Sequence, residues 1–135
     1  MANNPLVYDS PCETMINAFT ALLNSGFIEV YTGAQPAVDG SLSGTLLATM
    51  TFGATAFANA TASGSGGQAV ANTITSGNAS NTGTAGYAAL VTSGSATVGT
   101  MSVGTSGADL NFNTLSIVSG AVVACTSFTV TQAQT

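Results

Sequence analysis

The chain of 135 residues has no lysine, no arginine and no histidine, and only five acids: Asp9, Glu13, Glu29, Asp39 and Asp109. General acid–base catalysis near neutral pH usually recruits His, Lys, Tyr, Cys or a tuned carboxylate. Here the first two are missing and the carboxylates are scattered singly. Without histidine, neither a Ser–His–Asp nor a Cys–His arrangement is available. Without Lys or Arg, nothing holds the charge that builds up in phosphoryl transfer. The inventory therefore points away from an enzyme and calls for no cofactor.

The same absences bear on partners. Nucleic-acid affinity comes mostly from Lys and Arg displacing counterions, so a chain of net charge −5 is expected to be repelled. Anionic membrane surfaces are disfavoured for the same reason. No apolar run approaches the roughly 18–20 residues that span a bilayer, and Met1–Pro11 has neither a basic n-region nor an apolar h-region. Charged side chains make up 4% of the chain, against about a quarter in ordinary soluble domains. Such a surface is poorly protected against self-association, which suits a subunit in a lattice. Tryptophan is absent and tyrosine occurs three times (Tyr8, Tyr31 and Tyr87), which counts against a sugar-binding adhesin built on aromatic platforms.

What remains is rich in Ala, Gly, Ser, Thr and Asn, in a length that suits one domain. Met1–Ser10 reads as an N-terminal arm, and 11–135 as a single β-rich domain. Ser10-Pro11-Cys12-Glu13 is a capping box, with Ser10 as N-cap and Pro11 at the first helical position. Met15, Ile16, Phe19, Leu22 and Leu23 share one face, and Gly26 fits the left-handed residue closing a helix over 11–25. Beyond Gly26 the period changes to two. Strands are expected over 27–32, 45–52, 84–92, 96–103, 109–112 and 121–131, with a short one near 70–74. The stretch 54–83 reads as a mobile region with a flexible tip at Gly64-Ser65-Gly66-Gly67. Thr-Ser-Gly recurs at 75–77, 92–94 and 105–107, with unequal spacing that suits turns and not a solenoid. The fold class expected is mainly β: an antiparallel β-sandwich or partly closed barrel with one N-terminal amphipathic helix.

Four features hint at chemistry. Asp109-Leu110-Asn111-Phe112-Asn113 opens like a calcium loop, but Thr114 and Gly120 stand where Gly and Glu belong. The plainer reading is a strand with Leu110 and Phe112 inward. Asn59-Ala60-Thr61 and Asn78-Ala79-Ser80 match the glycosylation acceptor pattern, expected by chance in such a composition. Cys12 lies near a helix N-terminus, where an exposed thiol would be reactive. Cys125 lies on a strand face with Val123, Ser127 and Thr129. Their spacing suits no zinc site. Two readings stand: free thiols in a cytosol-assembled protein, or a disulfide, within or between subunits.

Two stretches carry a resemblance. One is Ile28-Glu29-Val30-Tyr31-Thr32-Gly33-Ala34-Gln35-Pro36-Ala37 with Gly44-Thr45-Leu46-Leu47-Ala48-Thr49-Met50-Thr51-Phe52. The other is Val103-Gly104-Thr105-Ser106-Gly107-Ala108-Asp109-Leu110-Asn111-Phe112-Asn113 running into Val123–Thr131. Together they resemble small structural proteins of tailed bacteriophages encoded in the head-building region. That resemblance implies a virion protein, assembled in the bacterial cytoplasm, that decorates or cements a head. Its partners would be the major capsid protein and copies of itself, in a homo-oligomer. A neck, tail or fibre component is the alternative. Relatives tend to carry a bulky aromatic, often followed by a base, where this chain reads Gly86-Tyr87-Ala88-Ala89.

Overall fold

The computed structural model describes residues 6–64, 66–108 and 110–134. Among them are one helix, α1 (Asp9–Ala21), and twelve strands. These are β1 (Phe27–Thr32), β2 (Leu46–Phe52), β3 (Thr61–Ala62), β4 (Gly66–Val70), β5 (Ile74–Thr75) and β6 (Gly77–Asn78), followed by β7 (Gly83–Val91), β8 (Thr97–Gly104), β9 (Leu110–Phe112), β10 (Ser116–Ile117), β11 (Val122–Val123) and β12 (Cys125–Ala133). Ten strands form one sheet in the order β3-β4-β12-β9-β8-β7-β1-β2-β5, with β10 beside β7; β6 and β11 form a separate pair. The sheet curls into a half-barrel, the partly closed form of the fold class expected from the sequence. β8 and β9 run parallel.

In β1, Ile28 and Val30 point inward and are fully buried. β1 is flanked by β2, with Ile28 opposite Met50, and by β7, with Ile28 opposite Leu90. β2 breaks the strict alternation expected of it. A bulge opposite Val30 and Tyr31 skips Leu47 in the pairing, and Leu47 is buried alongside its neighbour Ala48. β7 is buried from Tyr87 to Val91 on both faces, as its unbroken apolar run suggests. An aromatic cluster fills the other end of the core: Phe57 meets Phe128 edge-on at 5.1 Å, and Phe52 lies 5.7 Å from Phe57. Each such fully buried side chain contributes roughly 1.5–3 kcal/mol.

The helix starts and stops earlier than the expected 11–25. Tyr8 is the N-cap and makes no side-chain capping bond, so the Ser10–Glu13 capping box does not form. Pro11 falls third in the helix, still within the first turn, where no backbone N–H is needed. Asp9 and Ser10 are helical, and Val7 donates its N–H to Gln134 O at 2.9 Å, so residues 7–10 of the expected arm Met1–Ser10 are part of the domain, and residues 1–5 lie outside the described residues. At the other end, three successive i→i−3 bonds (Leu22 to Phe19, Leu23 to Thr20, Asn24 to Ala21) tighten the chain after Ala21. The left-handed residue is Ser25 (φ 57°), not Gly26. Gly26 serves a different need: a Cβ there would lie 2.3 Å from Val91 O.

The stretch 54–83 carries β3 to β6 and the start of β7. Gly66 and Gly67 are strand residues, where a loop tip was expected. Gly67 lies under α1, and a Cβ on it would come within 2.9 Å of Glu13 N. A Cβ on Gly66 would collide with Gln132 O. Ser65 and Asp109 lie outside the described residues. The strand expected over 121–131 divides at Ala124, because Asn113 clips that residue: Ala124 N donates to Asn113 Oδ1 at 3.1 Å. Of the Thr-Ser-Gly triplets, 92–94 and 105–107 are turns or bends, whereas Gly77 begins β6.

Candidate assembly surface

β12 presents two unlike faces. Phe128 and Val130 turn toward the core, and Ser127, Thr129 and Thr131 are exposed. Pairing with β4 sets Thr129 opposite Val70 and Thr131 opposite Gln68, and Gln68 is in turn opposite Thr61 of β3. Since α1 sits over Gly67, on the opposite face, the helix leaves this side of the three strands uncovered. Ser127, Thr129, Thr131, Val70 and Thr61 are all exposed there. Asn111 of β9 extends the face, its Nδ2 donating to Ser127 Oγ at 3.0 Å. The result is a pleated surface of hydroxyls, amides and methyls with no charged side chain among these residues. It offers hydrogen bonds and apolar contact without the cost of burying an ion.

A second surface is built by the loop 33–45, which folds over the outer side of β1 and β7. Tyr87 anchors it. The ring is fully buried, its OH donates to Ser43 O at 2.6 Å, and it accepts from Ser43 N at 3.0 Å. Tyr31 stacks on Tyr87 at 5.4 Å with planes 9° apart and donates to Glu29 Oε1 at 3.4 Å. Burial, and then the Glu29 carboxylate, push the Tyr31 phenol above its usual pKa. Gly86 lets the loop approach, since a Cβ there would overlap Gly33 O. The aromatic in Gly86-Tyr87-Ala88-Ala89 is thus an internal peg, not a contact residue. Between loop and β8 lies a cleft of about 480 Å³ lined by Pro36, Val38, Leu42, Val98 and Thr100, where Gln35 Nε2 donates to Thr100 O and Oγ1.

The cysteines do not meet, and both are free thiols. Cys12 is fully buried, its thiol 3.7 Å from Ala133 O, which removes the reactivity expected of an exposed thiol at a helix N-terminus. Cys125 lies eight residues up the same strand from Ala133, a run of roughly 26 Å at about 3.3 Å per residue. A disulfide needs Cα atoms within about 7 Å, so a bond within the subunit would require β12 to come apart. Cys125 is half-buried, and burial pushes its thiol from 9.0 to about 11, partly offset by a backbone hydrogen bond with Ser127.

The amides of the calcium-like segment are engaged with the backbone. Asn111 Nδ2 donates to Ala108 O, and its Oδ1 accepts from Ala108 N; Asn113 Nδ2 donates to Val122 O. Leu110 and Phe112 are buried, as the strand reading has them. Of the acceptor-pattern asparagines, Asn59 and Asn78 are exposed. Sequence reasoning missed Val70, Gln68 and Thr61 as surface partners of β12; only the strand pairing brings them together. Comparison with protein-family models, with curated proteins and with solved structures finds no match to this chain.

Proposed function

We propose that the chain is a virion structural protein that decorates an assembled bacteriophage head, holding to the major capsid protein and to copies of itself. The observation that carries this reading is the exposed, uncharged face of β3, β4 and β12. A shell-binding protein needs a surface that packs and hydrogen-bonds repeatedly, and this face offers both over several strands. The resemblance of 28–52 and 103–131 to head-region proteins of tailed phages supports the same reading. Acting as cement, the protein would bridge neighbouring shell subunits and oppose their separation under internal pressure.

The test is quantitative mass spectrometry of purified particles, counting this chain against the main shell protein. The digest needs chymotrypsin, because trypsin has no Lys or Arg to cut after. A ratio near one, or a simple fraction of it, is the expected result. A handful of copies per particle would move the protein to the neck or tail, and its absence would overturn the virion reading.

A further inference from the structure

The cleft between the loop 33–45 and β8 joins two chemistries in one cavity of about 480 Å³. Pro36, Val38, Leu42 and Val98 give it apolar walls, and Asp39 adds a carboxylate. The loop is pinned on either side of Asp39, by Gln35 on Thr100 and by Ser43 on Tyr87. Between the pins, Gly40 N donates to Ala37 O at 2.8 Å, closing a turn in which Asp39 takes a left-handed φ of 59°. Asp9 and Glu29 accept hydrogen bonds from Gln134 and Tyr31. Asp39 has no hydrogen-bond or ion-pair partner among the described residues.

We infer that this cleft takes an arginine side chain of a partner protein, with the stem along the apolar walls and the guanidinium on Asp39. Charge decides the occupant. The chain has five acids and no base, so no side chain of its own or of a second copy can form an ion pair with Asp39. The complementary partner is cationic. A metal ion would use the carboxylate and leave the apolar walls idle, and an aliphatic side chain would do the reverse. A basic side chain uses both, because its methylenes lie along apolar surface while its charged head stays at the rim. Arginine suits a single carboxylate better than lysine, since its planar fork donates two parallel hydrogen bonds to the two oxygens. The inference deepens the proposed function by naming what the shell protein presents at this contact, and it rests on that reading only for the partner's identity.

The test is an NMR titration of the full chain with the peptide acetyl-Gly-Arg-Gly-amide, against the same peptide with Gln for Arg and against guanidinium chloride. The Arg peptide should shift the amides of residues 37–42 and 97–100 with a dissociation constant of about 1–10 mM, and the Gln peptide should leave them in place. Asp39→Asn should weaken binding about threefold or more and keep the fold, since Asn is tolerated at a left-handed turn position. Guanidinium chloride, which lacks the stem, should bind more weakly than the peptide. Equal shifts around Asp9, Glu13 and Glu29, binding indifferent to Asp39→Asn, or guanidinium alone binding as well as the peptide would overturn the inference. Binding that passes these tests in a chain missing from particles would sink the decoration reading and leave the cleft standing. A chain present on every particle that ignores the peptide would do the reverse.

Discussion

Tyr87 shows what one side chain does for a loop that has no regular structure of its own. Its hydroxyl satisfies both backbone groups of Ser43 across 44 positions of sequence. Tyr87→Phe keeps the ring and hands those groups of the exposed Ser43 to water, at a cost of about 0.5–1.5 kcal/mol. The expected signs are a lower urea midpoint and faster hydrogen exchange at the Ser43 amide, with β1 and β7 still protected; unchanged exchange would mean that the loop is held elsewhere. Cys125 makes a prediction of opposite character, because its folded thiol is harder to ionise than its unfolded one. Above pH 9.0 the unfolded thiol loses its proton first, so stability falls as pH rises from 9.0 to about 11. The raised Tyr31 phenol adds to the same slope above its ordinary 10.0. Urea midpoints across that range should decline, and Cys125→Ser should flatten the decline. Iodoacetamide should label the native thiol slowly at neutral pH, the rate rising about tenfold per pH unit.

At the scale of elements, α1 does more than cover strands. Asn17 Oδ1 accepts the Ala60 N–H and Asn24 Oδ1 the Ala56 N–H, each at 2.9 Å, so α1 and the turn that follows it pin the segment that enters β3. Ala56 and Ala60 are buried, and their N–H groups have no ready access to water. Asn17→Ala and Asn24→Ala should each cost about 1–3 kcal/mol. The two sites stand seven residues apart, about 10 Å along the axis, so the losses should nearly add; thermal unfolding of the double variant checks this. These clips also explain the limits of the sequence. β1, β2 and the existence of α1 are legible because each repeats its own period in the sequence over six or more residues, and β7 and β8 because turn residues bound their runs of β-forming and small side chains. β6, β10 and β11 are two residues long and exist only because a distant partner pairs with them. Gly66-Gly67 reads as a loop tip because flexibility and close approach call for the same residue, and only α1 lying over Gly67 distinguishes them. The exposed character of β12 was readable from its Thr and Ser alternation. The surface it belongs to was not, since Thr129 and Val70 are far apart in sequence.

For the whole molecule, the decisive quantity is charge of one sign. Association of most acidic proteins involves some Lys or Arg pairing with acids across the interface, and salt weakens those pairs. Here every charged side chain is a carboxylate, so Coulomb forces between copies are repulsive throughout, and attraction must come from apolar and hydrogen-bonded contact. Two responses follow, both opposite to those of a salt-bridged assembly. Raising sodium chloride from about 50 mM to about 500 mM shortens the Debye length from roughly 14 Å to roughly 4 Å and should tighten self-association at pH 7. Lowering the pH toward the isoelectric point of about 4.1 protonates the carboxylates and should tighten it further. Sedimentation equilibrium over both series measures the dissociation constant directly. Weakening by salt would show that some oriented charge or dipole contact, which this composition does not suggest, holds the copies together. Tightening along both axes would leave uncharged surfaces as the source of cohesion, with the face of β12 as the first to be tested by substitution.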